Sequence, residues 1–460
     1  MTDSMRILIG HVLDALAKGA AERGGPVPAG EPDELARWVR QQLGEPLPQA
    51  GTGAPEALET ISHILAYGAA DPADPRCAAH LHCPPLPVAV AADLAVSMLN
   101  PSLDSWDQAP AAVTLERELI GALAELAGYD GRASGTVTTG GSESNLMGLM
   151  LARDRALGRS HGAVSAARDA RIYCSELAHF SIQRAAALLG LGESAVRPVA
   201  VDARQRMDVR ALEGELDRCA AEGGIPVAVV ATAGTTDFGS IDPLRQVIAL
   251  ARRHGAWTHV DAAYGGMALC SDRLAPLLDG LDAADSISID MHKLGWVPAA
   301  AGVFLVREKA ALVSLERRAA YLNPEDDEEA GYVGLLGSSM RTTRRPDCVK
   351  MLVTLRALGR GGLGAMVDHC HDLARYAAER IGSHPKLELI ASPVLTTVVF
   401  RVRGTDHANA ELRRKLLREG VALVGRTELA GRVHLKLTLL NPHATRAHVD
   451  EIVQAMASAV

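Results

Sequence analysis

Between residues 115 and 310 the chain alternates short apolar runs with stretches of helical period, and this alternation predicts strands separated by helices. RIYCSEL, PVAVVATAGTT, AWTHVDAAYGG, DSISIDMHK and AGVFLVRE read as strands, and PLRQVIALARRHG reads as a helix between two of them. Strands joined through helices need crossover connections. The expected fold class is therefore α/β, with a mostly parallel central sheet and helices on both faces. In such sheets ligands sit at the carboxyl ends of the strands, so the residues that stop each run carry the most information.

The flanks follow other patterns. Two amphipathic helical periods, PDELARWVRQQLG and APEALETISHILAYG, lie either side of the Pro/Gly-rich PLPQAGTGA and look like an arm that needs something to pack against. PPLPVAVAADLAVSMLN begins at prolines and reads as a helix. Residues 321–345, YLNPEDDEEAGYVGLLGSSMRTTRR, combine an acidic burst with three glycines and little periodicity, which predicts either a functional lid or disorder. Beyond them PDCVKMLVTLRALGRGGLGAMVDHCHDLARYAAERI reads as one long helix, and TTVVFRVRG and RVHLKLTLLNP as strands. The expected organisation is an N-terminal helical arm over 1–85, a large α/β domain over 86–345 that includes the loop 321–345, and a smaller α+β domain over 346–460.

Composition narrows the function. Apolar residues make up 48% and charged residues 22%, an ordinary globular balance, and the net charge of −8 offers no basic footprint for nucleic acid. The first residues, MTDSMRILIGHVLDALAKGAAERG, have too short an apolar core for a signal peptide or a membrane span, so a cytoplasmic location is expected. Seven cysteines are scattered at 77, 83, 174, 219, 270, 348 and 370 without a CxxC pair, which argues for reduced, buried thiols and against a metal site.

Four strand ends carry chemistry. TTGGSESNLMGLMLARDRA, residues 138 to 156, opens a helix on glycines and hydroxyls, so the backbone N–H groups at Gly141 and Ser142 form either an anion site or an ordinary capped start. His179 follows RIYCSEL, and Asp261 ends AWTHVD, as a helix cap or as a buried carboxylate with a cationic partner. ATAGTT, residues 231 to 236, ends a further strand. Lys293 stands directly behind His292, either snorkelling to solvent or desolvated as a nucleophile that forms a Schiff base with a carbonyl. Jointly these supply an anion cradle, a carboxylate for a pyridinium nitrogen, an imidazole for a ring face and an amine for an aldehyde. Pyridoxal phosphate requires all four.

TTGGSESN, SELAHFSI, ATAGTTDFGSIDP, VDAAYGG and DMHK, in this order, resemble the group II pyridoxal-phosphate decarboxylases of aspartate-aminotransferase-like fold, or fold type I, from about residue 76 to the C-terminus. HLHCPPLPVAVAADL, SWDQAPAA, YLNPEDDEE, RTTRRPDCVKM and KLTLLNP look most like the bacterial 2,4-diaminobutyrate decarboxylases and the related lysine and ornithine decarboxylases. The resemblance implies that Lys293 carries the cofactor as an internal aldimine, Asp261 holds the pyridinium nitrogen and His179 stacks on the ring. It further implies that Thr235 bonds the cofactor, Ala263 touches the other ring face, Gly141 and Ser142 bind phosphate, and His292 sits beside the reacting centre. Asp290 falls on a cofactor-binding position where several relatives have asparagine. Lys436 and His82 fall on substrate-binding positions, Lys436 where glutamate decarboxylase has an arginine for the α-carboxylate. The loop 321–345 matches the family's mobile catalytic loop, which reaches the neighbouring subunit's site, and Tyr332 is the tyrosine in its body.

The implied function is decarboxylation of an L-amino acid, a diamino acid first, to an amine and CO2, by a homodimer with active sites at the subunit interface. Glutamate, aspartate or an aromatic amino acid is the alternative substrate, and an aromatic content of 3% disfavours the last. A related carbon–carbon lyase, an aldehyde synthase or an inactive regulatory paralogue would share the same motifs.

Overall fold

The structure is a computed structural model and describes residues 2–158 and 168–459. They sort into two compact units whose bounds differ from the three expected segments. One comprises Pro85–His371 with Pro393–Leu395, and the other Met1–Pro84, Asp372–Ser392 and Thr396–Val460.

The larger unit is built on a seven-stranded sheet in the order Ser134–Thr138, Gly302–Val306, Ser286–Asp290, Trp257–Ala262, Ile225–Thr232, Ala170–Ser175, Val196–Val199. Gly302–Val306 runs antiparallel to both neighbours, and the remaining pairs are parallel. Every residue of Trp257–Ala262, Ser286–Asp290 and Gly302–Val306 is buried, as expected of strands covered on both faces, which is why they read as continuous runs and not as alternations. The helix Gly141–Leu157 lies against five of these strands and buries Met147, Leu149 and Leu151 in a core shared with Ile172, Val230 and Phe304. Each such side chain contributes roughly 1.5–3 kcal/mol by leaving water.

Register decides what faces what. Thr232 pairs with Asp261, Asp261 with Ser288, and His259 with Ser286, so neighbouring parallel strands end side by side. Side chains alternate across a strand, so His259 and Asp261 share one face, as do Ser286, Ser288 and Asp290.

Residues 321–345 contain two short elements that periodicity does not reveal, a helix at Glu325–Glu329 and a turn of 3-10 helix at Leu336–Ser338. Four acidic side chains in the first turn of the former match the positive end of the helix dipole. The segment expected as one long helix, Cys348–Ser383, is broken at Gly359, whose φ of 65° and ψ of 173° lie outside the helical region.

In the other unit a five-stranded sheet has the order Cys77–Ala78, Leu423–Leu429, Arg432–Thr438, Thr397–Val402, Leu387–Leu389. Its core joins Phe400, Val424, Leu435 and Leu437 to Leu412 and Leu416 of helix Asp406–Arg418 and to Ile452 and Met456 of helix Arg446–Ser458. The N-terminal helices belong here because they have no core of their own. Arg23 closes the pair Thr2–Arg23 and Ala54–Gly68 through Ala66 O (2.5 Å) and Asp71 Oδ2 (2.6 Å). Glu31 pairs with Arg418 at 2.7 Å, and Asn441 Nδ2 donates to Pro72 O and Ala73 O. Among the described residues no helix is long and apolar enough to cross a membrane.

Candidate active site

The carboxyl ends of the parallel strands line a cleft of about 290 Å³ in the larger unit, and its walls include Gly141, Ser142, His179, Asp261, Ala263, Asp290, His292 and Lys293. A larger hollow of about 870 Å³ runs past Arg117, Lys309, Arg317 and Arg318 and is lined by none of these side chains.

Lys293 is placed by a tight turn after the strand Ser286–Asp290. Its N–H reaches Asp290 O, and Trp296 N–H reaches Lys293 O. Gly295 permits the turn, because a Cβ there would lie 2.6 Å from Met291 O. Lys293 Nζ stands 3.0 Å from Asp290 Oδ2, with His292 Nε2 3.5 Å from the same oxygen. Asp290 Oδ1 is buried and has no hydrogen-bond partner. Burial lowers the pKa of His292, the neighbouring Asp290 opposes that and Lys293 reinforces it.

Asp261 ends its strand with both oxygens occupied. Oδ1 accepts from Ala263 N (3.1 Å) and Ser288 Oγ (3.2 Å), and Oδ2 accepts from Asn145 Nδ2 (2.8 Å). His179 is half-buried beside the start of helix Ser181–Leu188, with Nδ1 2.9 Å from Ser181 Oγ and 3.2 Å from Ser181 N. Burial lowers its pKa as well, while Asp261 raises it and Lys293 lowers it.

The loop before helix Gly141–Leu157 is a cradle only glycine permits. A Cβ on Gly141 would come within 2.9 Å of Ala263 Cβ, and one on Gly302 would meet Gly140 Cα. Glu143, in the first turn, is drawn back from this loop. Its Oε2 accepts from Thr139 N (2.7 Å) and Thr139 Oγ1 (2.8 Å), and its Oε1 pairs with Arg341 Nε at 2.8 Å.

Not every expected residue joins the cleft. Thr235 turns its hydroxyl to Ser240 Oγ at 2.7 Å, whereas Thr232 and Thr236 line the cleft and Thr232 Oγ1 is buried without a partner. The choice follows from the Ser240 hydroxyl returning five residues later, which no local pattern reveals. Tyr332 is exposed and packs edge-on against Trp106 at 5.0 Å. Lys436 and His82 belong to the other unit, where Lys436 is buried opposite Gly425, whose missing side chain leaves room for the lysine stem. There burial lowers the pKa of His80, and Lys436, Arg413 and His82 lower it further. Asn145, Ser288 and His259 were not expected at the site. The signal for Ser288 and His259 is polar side chains at alternate positions in otherwise apolar strands, and Asn145 lies in the first turns of the helix Gly141–Leu157.

Comparison with known proteins adds chemistry to this geometry. The family described as "Pyridoxal-dependent decarboxylase conserved domain" matches residues 37–403. An L-2,4-diaminobutyrate decarboxylase of Rhizobium meliloti (strain 1021) is 44% identical over 422 residues, covering 90% of this chain and 83% of its own. Another, from Acinetobacter baumannii, is 35% identical and covers 89% and 84%. Among solved structures, the glutamate decarboxylase domain of a diaminobutyrate-pyruvate transaminase and L-2,4-diaminobutyrate decarboxylase from Vibrio parahaemolyticus superposes with a TM-score of 0.89 at 32% identity, covering 99% of this chain and 95% of that one.

The cleft fits pyridoxal phosphate on three observations of its own. A glycine cradle opens a 17-residue helix, where N–H groups and dipole favour an anion. A buried carboxylate, Asp261, is held entirely by neutral donors. Two buried oxygens in the walls, Thr232 Oγ1 and Asp290 Oδ1, lack partners.

Proposed function

We propose a substrate and a division of labour from one premise: the chain belongs to the pyridoxal-dependent decarboxylase family and is a pyridoxal-phosphate-dependent carboxy-lyase. The substrate is an L-diamino acid, 2,4-diaminobutyrate ahead of ornithine and lysine, and the products are the amine and CO2. The names of the two bacterial relatives support this choice.

The observation that carries the assignment of roles is the Lys293 amine, 3.0 Å from Asp290 in a cleft that Asp261 and His179 also line. Bound pyridoxal phosphate supplies an electrophilic carbon and a ring that accepts the electrons released as CO2 leaves. Lys293 would provide the amine that holds the cofactor covalently. Asp261 keeps a proton on the ring nitrogen, and its neutral donors leave its negative charge uncompensated for that purpose. His179 and Ala263, both in the cleft wall, would hold the ring, and the N–H groups of Gly141 and Ser142 would hold the phosphate. Asp290 orients the Lys293 amine, with His292 beside it.

The loop 321–345 excludes water on closing, which favours loss of a charged carboxylate, and its Tyr332 returns a proton to the substrate α-carbon across a homodimer interface. A dimer is supported by Val90, Leu94 and Met98, exposed at i, i+4 and i+8 of helix Pro87–Leu99 as an apolar stripe. The enzyme is cytoplasmic, in keeping with cysteines of which six of seven are buried.

Release of CO2 from diaminobutyrate, ornithine, lysine, glutamate, aspartate and tyrosine tests the substrate. The highest kcat/KM is expected for diaminobutyrate, and a preference for glutamate, aspartate or tyrosine overturns the assignment.

A further inference from the structure

A buried polar chain runs behind Asp261. The Trp257 indole N–H donates to Ser286 Oγ (2.9 Å), which lies 2.8 Å from His259 Nδ1. His259 Nε2 lies 2.9 Å from Asn145 Oδ1, and Asn145 Nδ2 donates to both Asp261 Oδ2 (2.8 Å) and Ser181 Oγ (2.9 Å). Ser181 Oγ in turn lies 2.9 Å from His179 Nδ1. Ser288 Oγ adds contacts to Asn145 Oδ1 (3.1 Å) and Asp261 Oδ1 (3.2 Å).

The end members fix the direction of the bonds through Asn145. An indole N–H only donates and an ionised carboxylate only accepts. Asn145 must therefore turn its amide nitrogen to Asp261, which leaves its oxygen facing His259. His259 must donate from Nε2, and its Nδ1 accepts from the Ser286 hydroxyl when the ring is neutral. Ser181 meets His179 Nδ1 with both its hydroxyl and its backbone N–H, so Nδ1 accepts and the proton of His179 lies on Nε2.

Burial agrees with that assignment. His259 is fully buried and its pKa falls to about 4, desolvation outweighing the pull of Asp261. Room for its ring exists because the helix above carries Gly148, where a Cβ would lie 2.5 Å from His259 Nδ1. Buried polar groups are paired in any protein. This chain differs in being directional and in ending on two side chains of the cleft.

We propose that Asn145 is a positioning residue which, oriented by neutral His259, couples the carboxylate of Asp261 to the placement of His179 through the Ser181 hydroxyl. The proposal rests on the reading of Asp261 and His179 as cofactor-contacting residues.

The test uses the full chain, freed of pyridoxal phosphate and titrated with it by quenching of tryptophan fluorescence, together with 15N spectra of histidine-labelled protein. Asn145→Asp keeps the volume and one acceptor but turns an oxygen towards Asp261, and should weaken cofactor binding roughly 10- to 100-fold. His259→Phe, which fills the site without a donor, should weaken it about tenfold, while His259→Gln, which keeps a donor and an acceptor, should restore binding to within about threefold of wild type. Ser181→Ala gives an arm that leaves Asp261 alone: the backbone N–H at 181 keeps His179 in its Nε2–H tautomer, and loss of the hydroxyl that links Nδ1 to Asn145 should shift the Nδ1 resonance of His179. Wild-type cofactor affinity in Asn145→Asp, or an unchanged His179 Nδ1 resonance in Ser181→Ala, overturns the coupling. Near wild-type decarboxylation by Asp261→Ala overturns instead the underlying reading of Asp261, and the two failures are told apart by which variant shows them.

Discussion

Acidification should expose His259 as a stability sensor that can be read without turnover. The imidazole is fully buried and neutral, its pKa lowered by desolvation from 6.5 to about 4. Between those two values the unfolded chain binds a proton that the folded chain refuses, so stability rises with pH across this window and is lost as pH falls through it. From pH 7.5 to 5.0 the unfolded imidazole becomes almost fully protonated while the folded one stays neutral, and at ~1.4 kcal/mol per unit the difference is about 2 kcal/mol. His259→Gln cannot titrate but retains a donor towards Asn145 and an acceptor towards Ser286. Urea unfolding of both proteins at the two pH values, followed by far-UV circular dichroism, isolates the effect, because His179, His292 and every other titrating group remain in both. Wild type should lose about 2 kcal/mol more than the variant. Equal losses would refute the argument that His259 is held neutral by burial.

Lys293→Ala should abolish both turnover and the borohydride-reducible absorbance of the bound cofactor, and retention of either would remove Lys293 from its role. Arg344 and Glu116, exposed by 1% and 2%, pair at 2.7 Å, so Arg344→Met should strand a buried carboxylate and destabilise the fold by about 3–5 kcal/mol. Adding Glu116→Leu should recover much of that loss, with both variants compared by thermal denaturation. Leu94→Asp, placing a charge in the exposed stripe of helix Pro87–Leu99, should shift sedimentation from dimer towards monomer and reduce decarboxylation in step; a fully active monomer would speak against an interfacial site.

Much of this architecture was legible because buried parallel strands leave uninterrupted apolar runs, and Lys293, Asp261 and His179 each stand where such a run stops. Geometry set by distant partners was not legible. The break at Gly359 is a backbone choice hidden inside a helical period, and the short helix Glu325–Glu329 looked like a solvated acidic run. Thr235 and Thr232 are equally plausible cleft hydroxyls in ATAGTT until Ser240 claims the first. The N-terminal helices read as an arm awaiting a partner, and within their own unit Arg418 and Asn441 are among the groups that hold the N-terminal segment. The Asn145–His259 chain did leave a trace. Ser286, Ser288 and Asp290 alternate on one strand face and His259 precedes Asp261 by two, a period-2 polar ladder where a purely structural core would be apolar.

Three carboxylates surround the cleft, and their partners assign them different work. Glu143 sits in the first turn of the helix whose N–H groups form the cradle, where a bare negative charge would oppose an anion; Thr139 and Arg341 take both of its oxygens and turn it away. Asp290 shares Oδ2 between Lys293 and His292 and keeps Oδ1 unpartnered, so its charge is spent on the amine. Asp261 has only neutral donors, three contacts in all from Ala263, Ser288 and Asn145, and none of them neutralises it. A buried carboxylate with hydrogen bonds but no cation is costly unless something positive arrives. Among the three, Asp261 is the one left without a cation, which supports the proposal that a protonated ring nitrogen faces it.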